Sequence, residues 1–222
     1  MGGLMKKQFV VVGCGRFGQS VAIKLAELGC EVMVVDRNEE IIQNISEKVT
    51  YAVQADATDE NSIKALGIRN FDVAIVTIGS DIQSSILVTL LVKELGVKHI
   101  VAKAQNSSHA KVLYKIGANR VVFPEKEMGI KIAKNLVSGN VLDFIDLAPD
   151  YSILEISMNS EWIGKSLVQI DMRRRYQISV IAVRRGDEID INAGPDKILL
   201  KDDILIVIGN NEDLKKIERQ MS

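Results

Sequence analysis

The sequence predicts a doubly wound α/β domain followed by a smaller α+β module, and three observations carry that reading. Residues 7–36 read as strand, glycine turn, helix, strand and terminal acid. Strand-like and helix-like segments then alternate as far as Phe123. Past Leu147 the texture changes to short alternating runs separated by turn signals.

The first strand is Gln8-Phe9-Val10-Val11-Val12, apolar and β-branched. The chain turns through Gly13-Cys14-Gly15-Arg16-Phe17-Gly18 into a helix with Val21, Leu25 and Leu28 on one face, stopped by Gly29. Val32-Met33-Val34-Val35 is the second strand and ends on Asp36. Asn38 is placed to cap a helix through Lys48, with Ile41, Ile42 and Ile45 inward. After a short strand at Tyr51-Ala52-Val53, Thr58 or Asp59 can cap a helix to Leu66, ended by Gly67. Residues 72–78, 99–102 and 120–123 read as strands four to six, with helices at 81–95 and 107–116 between them. Continuous apolar strands joined by helices imply a parallel sheet covered on both faces.

Pro124-Glu125 starts a helix through about Val137, and Ser138-Gly139-Asn140 interrupts it. Val141-Leu142-Asp143-Phe144-Ile145 is expected to resume the helix. Residues 153–156, 178–183 and 203–208 read as strands, and 211–220 as a final helix. The expectation is a Rossmann-like doubly wound six-strand parallel sheet followed by a small α+β C-terminal domain. Its parts are a nucleotide-binding domain at 1–124, crossover or linker helices at 125–146, and a C-terminal domain at 147–222.

Composition excludes several functions. With 28 basic and 29 acidic residues, the net charge of −1 gives no nucleic-acid footprint. The apolar stretches at 73–78 and 86–92 fall far short of the ~20 residues that span a bilayer. Lys6 and Lys7 lead into the first strand without a cleavable leader pattern, so a cytoplasmic protein is expected. Cys14 and Cys30 make no metal or disulfide framework. His99 and His109 are the only imidazoles, and neither cysteine has an evident base partner. A sensor is therefore expected before an enzyme. The alternative is a small NAD-dependent oxidoreductase with one histidine as proton donor.

The glycine turn carries the chemistry. Gly13 allows the tight bend, Gly15 lets backbone approach a phosphate, and Gly18 lets the helix pack against the sheet. The helix N-terminus then offers unpaired N–H groups to an anion. Asp36 can accept from ribose hydroxyls, and its charge disfavours the 2′-phosphate of NADP. Ligand groups in such a sheet come from the carboxyl ends of strands. That rule adds Phe17, Arg37, Asp56, Ala57, Ile78, Gly79, Ser80, Lys103, Ala104, Gln105 and Glu125. Arg37 stacks on adenine or is solvated, and Asp56 accepts from the adenine N6 amine or caps the next helix. Lys103 follows an apolar strand, so its charge calls for an anion. Arg16, between the glycines, suggests a β- or γ-phosphate nearby. Glu125 is either a metal ligand or an N-terminal helix acid. His109 lies in the first turn of its helix, at the cofactor or facing solvent.

The chain resembles the RCK (KTN) regulators of potassium conductance from end to end. The resemblance rests on the Gly15-Arg16-Phe17-Gly18 turn, Asp36, Ala55-Asp56-Ala57-Thr58, Lys103-Ala104-Gln105-Asn106 and Pro124-Glu125-Lys126-Glu127-Met128-Gly129. It implies no catalysis, and a homodimer that assembles into a homo-octameric ring. The ring would lie at the cytoplasmic face, under a membrane-embedded potassium-translocating subunit (KtrB-like). The resemblance also implies ATP or ADP, and NAD(H) in related proteins, at the Rossmann site. In it Arg16 reaches the γ-phosphate, and Glu125 binds a cation accompanying ATP, divalent (Mg or Ca) or Na. For the C-terminal (TrkA-C) domain the resemblance implies cyclic di-AMP, with Arg173 facing its phosphates and Arg174 and Arg175 adding positive charge. A solvated basic turn is the plainer reading of that triplet.

Overall fold

The computed structural model describes residues 7–137 and 141–221. Lys6 and the expected break at Ser138-Gly139-Asn140 lie outside the described residues. Two compact units divide between Lys126 and Glu127.

In the first unit the elements are β1 (Gln8–Val12), α1 (Arg16–Glu27), β2 (Glu31–Asp36), α2 (Glu39–Ile45), β3 (Tyr51–Gln54) and α3 (Glu60–Ala65). They continue with β4 (Val73–Val76), α4 (Ile82–Glu94), β5 (His99–Lys103), α5 (Ser107–Lys115) and β6 (Arg120–Val122), and α6 (Pro124–Val137) starts here and carries the chain past Lys126 into the second unit. The strands form one parallel sheet in the order β3-β2-β1-β4-β5-β6. Alternate residues of each strand feed opposite faces. Val11, Val34 and Ile75 pack with Ala22 of α1 and Ile42 and Ile45 of α2. Val10, Val12 and Val76 pack with Ile63 of α3, Val88 and Val92 of α4 and Leu113 of α5. Burial on both sides explains why these strands are apolar without alternation.

Side chains start the helices. Asn38, Asp59, Asp81 and Asn106 accept from the first-turn N–H groups of α2, α3, α4 and α5. Asp59, rather than Thr58, is the cap of α3. Gly67 follows that helix with φ +65°, a left-handed turn that suits glycine.

The second unit contains β7 (Val141–Ala148), β8 (Tyr151–Ser157), α7 (Leu167–Ile170), α8 (Met172–Tyr176), β9 (Ser179–Arg185), β10 (Glu188–Asp190), β11 (Asp203–Asn210) and α9 (Asn211–Met221). Its antiparallel sheet runs β10-β9-β11-β8-β7. Leu154, Ile156, Leu205 and Val207 point to one face and form a core with Trp162, Ile178 and Leu214.

One expectation is overturned. Residues 141–145 are not helix but the start of β7, which pairs antiparallel with β8 through Ile145↔Ile153 and Ala148↔Tyr151. A short apolar run is ambiguous by periodicity alone, and the adjoining strand after Pro149-Asp150 decides it.

At the start of the central strand β11 the buried Asp203 accepts from Arg185 Nε and Nη2, both at 2.7 Å, and from the Leu200 N–H at 2.8 Å. These bonds, Arg185 foremost, hold the Asp203 carboxyl below the usual carboxylate range. A carboxylate depressed on folding stabilises above its unfolded value of ~3.9 and loses that contribution as pH falls through the folded value. Unfolding followed through the single, buried Trp162 should therefore show acid destabilisation setting in below about pH 4. Asp203→Asn should remove that acid-dependent component and cost about 2 kcal/mol at pH 7. An unchanged acid limb in the variant would clear Asp203 of the role.

Candidate functional site

The candidate site lies in the first unit, at the carboxyl ends of the parallel strands, as a cleft of about 570 Å³. That volume falls in the range of small-ligand sites. Its walls come from the turn after β1, the end of β2, the loops after β3 and β4, the end of β5 and the first turn of α6.

Three glycines shape the turn, each for its own reason. Gly13 has φ +87°, and a Cβ there would come within 2.9 Å of Ile78 Cγ1. A Cβ on Gly18 would overlap the Gly13 carbonyl oxygen and lie 2.6 Å from Thr77 Oγ1, so this buried glycine packs α1 against the sheet. Thr77 meanwhile donates its hydroxyl to the Gly13 carbonyl. Gly15 differs, since nothing lies within 4 Å of where its Cβ would be. It is the N-cap of α1 and supplies no side-chain acceptor, nor does the first turn of α1 hold an acid. The N-terminus of α1 therefore opens into the cleft with its early N–H groups uncapped by any side chain.

Asp36 holds this turn from β2. One carboxylate oxygen accepts from the Cys14 N–H at 2.6 Å, and the other from the Asn38 N–H at 2.9 Å. Cys14 is fully buried, and burial, with Asp36 adding to it, pushes its thiol up to about 11. It is a packing residue rather than a nucleophile. Asp56 accepts from the Thr58 hydroxyl at 2.6 Å and its N–H at 2.9 Å. Those bonds, with Arg37 nearby, hold its carboxyl below the usual range. The cap of the following helix is Asp59, so Asp56 shapes the turn at the cleft instead. Ala57, Ile78, Gly79, Ser80 and the exposed Arg16 and Arg37 complete this part of the wall.

At the other end Lys103 is not a free charge. Its side chain is 13% exposed and its Nζ lies 2.5 Å from Glu125 Oε1 and 6.0 Å from the centre of the Phe17 ring. The Lys103 ammonium is the main cause holding the Glu125 carboxyl below its usual range, with Arg16 a lesser one. Glu125 stands in the first turn of α6, so it is a helix acid as well as an ion-pair partner. Among the described residues no cluster of three or more His, Cys, Asp or Glu forms a metal-binding group.

Several expected residues lie outside the cleft. Ala104 is buried in the core because its N–H extends the sheet to the Val122 carbonyl. Gln105 spends its side-chain amide on the Gly79 carbonyl. His109 is 3% exposed, its Nδ1 accepting from the Gln105 N–H at 3.3 Å and its Nε2 buried without a partner. Burial lowers its pKa. His99 is exposed at the opening residue of β5, and the cleft borders the opposite end of that strand. Arg173 belongs to the second unit, exposed on α8 with Arg174 and Arg175. The sequence reading passed over Thr77, Asp81 and Ser84, which also line the cleft. The Asp-x-x-Ser spacing, a helix-cap signature, was the signal for the last two.

The TrkA-N domain matches residues 9–124 and the TrkA-C domain residues 151–222. The chain is 46% identical over 217 residues to Ktr system potassium uptake protein C of Bacillus subtilis (strain 168), covering 98% of each. The chain belongs to the Ktr family of potassium-uptake proteins. Against Ktr system potassium uptake protein A of the same organism this Ktr chain is 44% identical over 220 residues, covering 99% of each. A crystal structure of GsuK bound to ADP superposes with a TM-score of 0.51 at 28% identity. That match covers 60% of the Ktr chain and 34% of the GsuK chain. The family is one of potassium uptake rather than of enzymes. Among the described residues no helix is long and apolar enough to cross a membrane.

The glycines give a contrast testable by denaturation. Gly18→Ala should destabilise the first unit by about 1–3 kcal/mol, since the overlap is with backbone. Gly15→Ala, with open space and φ −69°, should leave stability nearly unchanged while weakening any anion bound at α1. Equal losses in the two variants would show that the close approach at Gly18 is not the constraint described.

Proposed function

We propose that the chain is a non-catalytic, nucleotide-sensing regulatory subunit that controls potassium flux through a membrane-embedded, KtrB-like subunit. ATP or ADP is the ligand of the Rossmann cleft, with NAD(H) a further candidate. The observation that carries this is the side-chain-free N-terminus of α1 over Gly15, with the Asp36 carboxylate at the end of the neighbouring strand. Uncapped N–H groups suit phosphate, and a carboxylate beside them suits ribose hydroxyls. ADP on GsuK, a partial structural relative, supports the same ligand class.

Roles follow from charge and position. Arg16, exposed at the start of α1 and without an ion-pair partner among the described residues, meets the terminal phosphate of ATP. Glu125 offers its exposed carboxylate to an accompanying Mg, Ca or Na ion. A hard cation bound through one carboxylate, phosphate oxygens and water fits that donor set. Such a cation would neutralise phosphate charge beside Glu125. The ligand shifts conformation only by binding one state better than another, so ATP and ADP differ as effectors through the extra phosphate.

The chain acts as a homodimer within a homo-octameric ring on the cytoplasmic face of the membrane, in keeping with its Ktr membership. Residues 1–124 sense nucleotide, 125–146 relay, and 147–222 form the second sensor. That sensor takes cyclic di-AMP, its phosphates met by Arg173, which α8 presents to solvent beside two more arginines. An NAD-dependent oxidoreductase is disfavoured, because neither imidazole reaches the cleft.

Arg16→Ala tests the reading. ATP affinity should fall about tenfold or more, from loss of a charge-assisted phosphate contact, while ADP affinity changes less than about twofold. Calorimetry with each nucleotide measures both. An unaltered ATP-to-ADP affinity ratio would remove the phosphate-sensing role.

A further inference from the structure

The Lys103–Glu125 ion pair joins two unlike partners. Lys103 is held between Phe17 and Gly79. Its side chain is 13% exposed, its Nζ stands 6.0 Å from the centre of the Phe17 ring, and a Cβ on Gly79 would approach Nζ to 3.2 Å. Glu125 has a side chain 73% exposed, on the first turn of α6. The cation is therefore fixed and the anion is replaceable.

Position along the sheet says what replaces it. Asp36 ends β2, the glycine turn follows β1, Gly79 follows β4 and Lys103 ends β5, in the sheet order β2-β1-β4-β5. Neighbouring strands are roughly 5 Å apart, so the Lys103 backbone lies about 15 Å from that of Asp36, and its side chain leans back over Gly79 toward Phe17 of α1. A phosphate chain that starts at α1 and runs away from Asp36 comes nearer this ammonium with each phosphate added.

We propose that Lys103 acts with Arg16 to discriminate nucleoside triphosphate from diphosphate, and that Glu125 occupies Lys103 until a terminal phosphate displaces the carboxylate. This rests on the nucleotide reading of the cleft. A phosphate carries more negative charge than the carboxylate and offers several acceptors, so it wins the ammonium when the chain is long enough. The displaced Glu125 is left exposed beside the phosphates, which is where a carboxylate requires a cation. Cation binding at Glu125 is then a consequence of triphosphate binding rather than a property of the free protein.

The experiment uses the full chain in EDTA, free of divalent cations, with ATP and ADP titrated calorimetrically into wild type, Glu125→Gln, Lys103→Gln and the double variant. Removing the internal competitor should tighten ATP binding about fivefold in Glu125→Gln, while ADP changes less than twofold. Lys103→Gln should weaken ATP more than ADP. In the Lys103→Gln background, Glu125→Gln should no longer tighten ATP. Persistence of the gain in that background would mean that Glu125 merely repels phosphate, and would overturn the proposal. So would equal gains for ATP and ADP, or no gain. If wild type binds both nucleotides yet shows none of these differences, only the Lys103 assignment falls. If it binds neither, the nucleotide reading falls with it.

Discussion

One carboxylate shapes the cleft end of the first unit. Asp36 accepts from Cys14 in the glycine turn and from Asn38 at the start of α2, so a single side chain ties the loop after β1 to the end of β2. Each oxygen keeps a lone pair beyond those bonds. The residue that sets the turn thus also lines the cleft with acceptor capacity to spare. Fold and recognition share one interaction, and the open N-terminus of α1 depends on it for its position.

What was legible beforehand follows from how local each constraint is. The glycine spacing could be read because backbone geometry imposes it. Gly13 needs a left-handed φ, and Gly18 faces a carbonyl that tolerates no side chain. The central strands β1, β2 and β4 could be read because burial on two faces forces unbroken apolar runs. β7 could not, since Val141-Leu142-Asp143-Phe144-Ile145 fits either period and only its partner β8 makes it a strand. His109 was misplaced for a related reason. It was read from its place in the first turn of α5, and only the packing shows that it is buried with Ala110 and Leu113.

The Lys103–Glu125 pair belongs to a third kind. The sequence showed both charges and a reason for each to want an opposite partner. Being 22 residues apart, on different elements, they met only in the folded sheet. Taken singly, Lys103 called for an anion, and Glu125 read as either a metal ligand or a helix acid. Taken together, each satisfies the other, and each external ligand becomes conditional on removing the internal one.

That conditionality is modest in energy and well placed. An ion pair with one partner at the surface contributes no more than about 1 kcal/mol, which a phosphate chain overcomes with ease. Couplings of about 1–3 kcal/mol are nonetheless the scale on which two sites regulate each other. Glu125 stands in the first turn of α6, and α6 is the covalent route from the cleft toward the second unit. A change in the partner of Glu125 therefore acts at the root of that helix. If a terminal phosphate displaces Glu125 as proposed, ligand length is the quantity this arrangement reads.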